Sequence, residues 1–270
     1  MTSRSTPKNL LNKYATNRFV KPSDLSPLAI KRIEIAMLEL AQTAGFTPVL
    51  LSPASLLGSC SVMAEVDQNH VVSAVRGVEL MADSTNMLAI YLADGIKHGT
   101  IDNANGAIHL SATCRATRAQ LYKSSKALPH FGLFTLVSSG KDRGSYGFEK
   151  EAMAKHVEYY VRYFGERFGQ KLQVTLNLRK GYTDGSGFVD RMSARLQAIY
   201  PDVEWVVNKE ATDNSYYKGL NFKISLNGQE FVDGGLVDWS QKLLGNPKER
   251  LCISGTGIDM QVMSDVPVLE

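Results

Sequence analysis

The chain has 270 residues, of which 44% are hydrophobic, enough for a full core in one large domain or two small ones. Thirty Lys and Arg against twenty-seven Asp and Glu leave a formal charge of +3, too mild to imply a nucleic-acid partner by itself. No run approaches the ~20 apolar residues of a membrane span, the N-terminus lacks the apolar stretch of a secretory signal, and Cys60, Cys114 and Cys252 are too far apart for a disulfide framework or a zinc site; the expectation is a cytoplasmic protein without a metal.

Residues 1–24 gather Arg4, Lys8, Lys13, Arg18 and Lys21 ahead of the first acid, Asp24, which predicts a solvated or loosely docked basic arm. Ser26-Pro27 is an N-cap with proline in the first turn, and Ile30, Ile33, Met37 and Leu40 continue at helical spacing up to Gly45. A short strand, Thr47 to Leu51, follows and is broken by Pro53. His70 to Ala74 and Val78 to Ala82 read as a hairpin around Arg76-Gly77, leading into Asp83-Ser-Thr85 and a helical run from Met87.

The residues from Gly99 to Gly106 form a loop. Next come a strand from Ala107 to Thr113, an arginine-bearing turn from Cys114 to Arg118, a polar loop to Lys126, and a strand from Phe131 to Ser138. Met153, Val157, Tyr160, Val161 and Phe164 define one face of a helix from about Glu149 to Phe168. A strand from Leu172 to Leu178, a helix bearing Phe188, Met192, Leu196 and Ile199, and a strand from Val203 to Val207 come next. Asn227-Gly228 between Leu220–Ser225 and Glu230–Val232 is a strong hairpin signal. A last strand, Arg250 to Ser254, leads to a turn at Gly255-Thr-Gly257 and a closing helix. The expected fold class is α+β, a largely antiparallel sheet with helices packed on one side. One core domain, 25–270, is expected, with Thr183 to Tyr200 as a candidate insertion.

There is no phosphate-binding glycine loop, no dinucleotide fingerprint and no G-x-S-x-G elbow. Cys114 beside Arg115 could have a lowered pKa, though a buried structural thiol is the better account. Asp83-x-Thr85 at a strand-to-helix junction is either an ordinary helix cap or a place to hold an ammonium group.

Set in order, these pieces resemble the catalytic core of class II aminoacyl-tRNA synthetases, in the histidyl-tRNA synthetase branch. Ser26 to Pro53 is similar to motif 1, the dimer-forming helix-strand-proline unit. Leu80-Met-Ala-Asp83-Ser-Thr85 resembles the segment whose acid and threonine bind the amino acid's α-amino group, and Arg115 with its flanking strands resembles motif 2, whose arginine holds the ATP α-phosphate and the substrate carboxylate. Tyr216-Tyr217-Lys-Gly219-Leu-Asn-Phe222 resembles the histidine-binding "Y-Y-T-G-x-x-F", Gly234-Gly235-Leu-Val-Asp238 resembles "G-G-R-Y-D", and Gly255-Thr-Gly257-Ile-Asp259 resembles motif 3. The resemblance covers roughly residues 25 to 262. It implies an amino-acid site at Asp83, Thr85, Arg115, Tyr216, Tyr217, Gly234 and Gly235, with Arg115, Arg118 and Asp259 as ATP candidates.

The departures point away from a ligase. The family's histidine-specific arginine falls on Thr212, its motif 3 arginine on Met260, the arginine and tyrosine of "G-G-R-Y-D" on Leu236 and Val237, and the motif 2 acid on Thr117. Loss of one fixed charge-stabilising donor typically costs roughly 10²–10³ in rate. The chain stops near the end of the core, so neither an anticodon-binding domain nor tRNA charging is expected. The resemblance then implies a histidine-type amino-acid sensor like the regulatory subunit of ATP phosphoribosyltransferase, a homodimer partnered by a catalytic phosphoribosyltransferase subunit and needing no cofactor. The alternative is an enzyme that uses ATP and Mg²⁺ to activate an amino acid for a carrier protein or small amine, with Arg115, Arg118, Lys123 and Lys126 serving the phosphates. A plain homodimeric scaffold, with Asp83, Thr85 and Asp259 only as caps, is the third reading.

Overall fold

The computed structural model describes residues 6–120, 129–212 and 216–264. Lys123 and Lys126 lie outside these residues. The basic arm contains a helix that the charge pattern did not announce, α1 (Pro7–Thr16), capped by the Thr6 hydroxyl and burying none of its residues. Its C-terminal continuation is docked: Lys21 lies 4.1 Å over the Tyr14 ring, and its carbonyl is 2.7 Å from Nε2 of His130.

Helix α2 (Pro27–Thr43) starts at the Ser26 cap, as its sequence predicts, and buries Ile30, Ile33, Met37 and Ala41. The strand after it is shorter than predicted: β1 is Thr47–Pro48, because Pro48 has no N–H to extend a ladder, although the Val49 N–H still reaches Ser111 O. Next come β2 (Ala54–Leu56), α3 (Ser59–Ala64), β3 (Ser73–Ala74), β4 (Val78–Leu80) and α4 (Ser84–Lys97). The hairpin expected around Arg76-Gly77 is present as β3–β4, and β2 joins it in a small antiparallel sheet.

The large sheet is completed by β5 (Ile108–Thr117), β6 (His130–Lys141), β7 (Gln173–Arg179), β8 (Glu204–Thr212), β9 (Leu220–Leu226), β10 (Gln229–Val237) and β11 (Glu249–Gly257). Between its strands lie α5 (Gly147–Phe168), α6 (Gly185–Ile199) and α7 (Trp239–Leu244), and α8 (Ile258–Met263) follows β11. The strand order is β1-β5-β6-β11-β10-β9-β7-β8, with parallel pairs only at the two edges. Two expected turns are strand instead. Arg115 pairs with Gly132 inside β5–β6, and Gly255 pairs with Thr135 inside β6–β11, so the ladder meets backbone needs that a turn would have met locally. The Asn227-Gly228 turn is as predicted, both residues at positive φ (49° and 77°). Residues 183–200 supply α6, the crossover between parallel β7 and β8, and its Phe188, Val189, Met192 and Leu196 are in the main core.

Helices cover both faces of the sheet, not one. On one face α2, α5 and α6 meet Phe134, Leu136, Val174 and Phe222. On the other, α4 and Trp239 of α7 meet Leu110, Val137, Leu251 and Ile253. The near-continuous apolar runs of the central strands are the signature of a sheet buried on both sides. No helix among the described residues is long and apolar enough to cross a membrane.

Candidate functional site

A cavity of about 1100 Å³ opens on the α4 face of the sheet, where α4 begins and β6, β10 and β11 form the floor. Asp83 stands at its edge as the N-cap of α4, accepting from the Thr85 N–H at 2.8 Å and from the Thr85 hydroxyl at 2.7 Å. The carboxylate is therefore both a cap and a cavity wall; its second oxygen is 3.9 Å from a guanidinium nitrogen of Arg118. Arg118 also donates to Ala82 O at 3.0 Å and lies over the Phe131 ring.

Strand alternation separates the two arginines considered for the carboxylate. Along β5, Leu110 and Ala112 point to the α4 side, and Arg115, in the opposite phase, points away. Arg115 donates to Nδ1 of His130 and pairs with Asp259 at 3.3 Å, lining a smaller cleft beneath the N-terminal arm. Arg118, not Arg115, thus faces the cavity. Asp259 is held as a structural acceptor, taking the Gly132 N–H at 2.7 Å as well as Arg115.

Tyr216 and Tyr217 do reach the cavity, packed edge to face at 4.7 Å, with Trp239 behind Tyr216. Burial first, and then the Asp83 carboxylate, holds the Tyr216 phenol well above its ordinary range; for Tyr217 the causes are burial and Asp233. Gly234 and Gly235 do not line the cavity. A Cβ on Gly234 would sit 2.5 Å from the Ser254 Cβ, and one on Gly235 would sit 2.7 Å from the Asn221 Cβ, so they let strands approach instead of touching a ligand. Thr212, at the exposed end of β8, accepts from Arg179 and is not part of the wall.

Asp233 is the residue that sequence reasoning missed. It lines the cavity from β10, accepts from Asn221 Nδ2 at 3.2 Å and from the Tyr217 phenol, and is pushed above the usual carboxyl range chiefly by burial. Its only signal was an acid directly after the apolar pair Phe231-Val232 and just ahead of Gly234. Met260 also lines the cavity, as does Cys60, whose thiol is pushed up to about 12 by burial and then by Asp83 and Glu79. Burial likewise raises Cys114 to about 11, so neither thiol is an activated nucleophile. Among the described residues no group of three His, Cys, Asp or Glu is placed to hold a metal ion.

No family model and no curated protein matches the sequence. Solved structures do match, and they define the class: the chain has the fold of a class II aminoacyl-tRNA synthetase catalytic core, a mostly antiparallel sheet flanked by helices. Similar structures include several of the histidyl-tRNA synthetase kind and a pyrrolysyl-tRNA synthetase from Desulfitobacterium hafniense, with a TM-score of 0.55 at 11% identity, covering 95% of this chain and 73% of that one. An ATP phosphoribosyltransferase regulatory subunit/histidyl-tRNA synthetase from Bacillus halodurans superposes with a TM-score of 0.67 at 15% identity, covering 91% of this chain and 82% of that one. Apo histidyl-tRNA synthetase from S. aureus gives 0.60 at 14%, covering 89% and 67%. A histidine–tRNA ligase subunit from Alicyclobacillus acidocaldarius gives 0.62 at 12%, covering 92% and 96%. At these identities the likeness establishes the fold.

Proposed function

We propose that this protein is a non-catalytic amino-acid-binding regulatory subunit built on a histidyl-tRNA synthetase-like core. The observation that carries this reading is the lining of one cavity: Asp83 and Arg118 stand side by side in its wall, while Met260, which the resemblance aligns with the motif 3 arginine, brings no charge to it. An α-amino acid is a zwitterion, and an adjacent carboxylate and guanidinium can each take one of its charges, the guanidinium in fork geometry. Tyr216 and Tyr217 wall the side-chain end, with Trp239 packed behind Tyr216.

ATP with Mg²⁺ fits this lining poorly. Among the described residues Arg118 is the one Lys or Arg in the wall, against the carboxylates of Asp24, Asp83, Glu230, Asp233 and Asp259. Phosphoryl and adenylyl chemistry depends on fixed cations around the phosphates. The likeness to the ATP phosphoribosyltransferase regulatory subunit/histidyl-tRNA synthetase from Bacillus halodurans supports a role in histidine biosynthesis with a catalytic phosphoribosyltransferase partner. Exposed Leu28, Ile35 and Leu50, on and just after α2, support a homodimer through the helix-strand-proline unit.

Two measurements on the full chain test the reading. Isothermal titration with free amino acids is expected to show binding, and amino-acid-dependent pyrophosphate exchange is expected to show none. A robust exchange signal would replace the regulator by an amino-acid-activating enzyme. Absence of binding by every amino acid, with and without a phosphoribosyltransferase subunit, would reject an amino-acid site.

A further inference from the structure

We propose that the side-chain end of this cavity selects an amino acid whose side chain carries a positive charge, with Asp233 as its counter-ion. The inference rests on the amino-acid reading of the site and adds to it the chemical class of the ligand. Its ground is an imbalance of charge in the wall. Arg118 is paired with Asp83, Asp259 is satisfied by Arg115 from the opposite side of the sheet, and Glu230 takes Lys223 at 2.8 Å. Lys223 is also the cross-strand partner of Asp233 and its charge acts on that carboxylate, but its ammonium donates its hydrogen bonds to both oxygens of Glu230 and is shared between the two acids. Among the described residues, Asp233 has only neutral donors, the Asn221 amide and the Tyr217 phenol.

A half-buried carboxylate whose hydrogen-bond donors are neutral, and whose nearby ammonium is shared with Glu230, is incompletely compensated, and a cation brought in by a ligand would complete it. The placement suits such a ligand. Both Asp83 and Asp233 act on each of the phenols of Tyr216 and Tyr217, so the tyrosine pair lies within the field of both acids. An α-ammonium at Asp83 and a side-chain cation at Asp233 would then pass along two aromatic rings, whose faces attract cations. A neutral aliphatic side chain would leave Asp233 desolvated, with only the Lys223 charge that it shares with Glu230.

The test is titration calorimetry at pH 8, where histidine is neutral, with L-lysine, L-ornithine and L-arginine against L-norleucine and L-histidine. At least one cationic amino acid is expected to bind ten-fold or more tightly than norleucine. Asp233→Asn should remove that preference, weakening the cationic ligand ten-fold or more while leaving norleucine unchanged or improved. Equal binding of lysine, ornithine, arginine and norleucine by the unaltered protein overturns this inference alone and leaves the amino-acid site standing. An Asp233→Asn protein that keeps the full preference also overturns it. If no amino acid binds, the proposed function fails and this inference falls with it.

Discussion

The double position of Asp83 can be resolved by two substitutions that differ only in charge and capping ability. Asp83→Ala removes both bonds to Thr85, at 2.8 and 2.7 Å, and loss of such a cap costs ~0.5–2 kcal/mol of stability. Asp83→Asn keeps an oxygen for the Thr85 N–H, and asparagine caps about as well as aspartate. The 3.9 Å contact to Arg118 is part-exposed and contributes on the order of 0–1 kcal/mol, so the Asn variant should melt within about 1 kcal/mol of the original. Ligand binding should separate from stability: replacing a charge-assisted contact to an ammonium by a neutral one costs ~1.5–3 kcal/mol, roughly 10- to 150-fold in Kd. Urea unfolding and titration calorimetry on both variants give the two numbers. An Asp83→Asn protein that binds amino acids as well as the original would show that Asp83 is a cap and nothing more.

Gly235→Ala should destabilise by ~1–3 kcal/mol, since its Cβ meets the Asn221 Cβ and the Leu220 carbonyl at 2.7 Å; a melting curve identical to the original would contradict that packing. Stability should also fall below neutral pH. His109 is lowered from 6.5 to about 4, chiefly by burial and then by Lys155, so the unfolded chain binds the extra proton between those values and stability present above 6.5 is lost as pH falls towards 4. For this group alone the loss at pH 5 is about 2 kcal/mol before any discount for solvent, measurable by urea unfolding at pH 7 and 5, and His109→Gln should flatten the slope. The fully buried His156, hydrogen-bonded to Ser138 and Ser254, acts in the same direction. Replacing Ile35 and Leu50 together by Asp should convert a dimer to monomers in light scattering; a monomeric unaltered protein would remove the proposed interface.

Much of the fold was legible because its signals are local. The Ser26-Pro27 start of α2, the Asn227-Gly228 hairpin and the apolar stripe of α5 each depend on residues a few positions apart. The errors have one cause. Residues 114–117 and 255–257 look like turns when taken alone, but their backbone groups find partners in β6, a strand distant in sequence. α1 buries none of its residues, and its short apolar side, Leu10, Leu11 and Tyr14, stays exposed, so the charge pattern dominated its reading.

The site divides in the same way. The sequence by itself determined that Asp83 and Thr85 sit together at a helix start, that Tyr216 and Tyr217 belong to the same constellation, and that Met260 brings no charge, since each follows from adjacent residues or from an ordered set of short motifs. The choice of arginine and the discovery of Asp233 belonged to the tertiary structure. A strand presents alternate residues to opposite faces, and only pairing against β6 and packing against α4 decide which face is the cavity. That phase sends Arg118 in and Arg115 out. The charge left over at Asp233 is likewise a property of the assembled wall, because whether Lys223 compensates it depends on where Glu230 takes that ammonium.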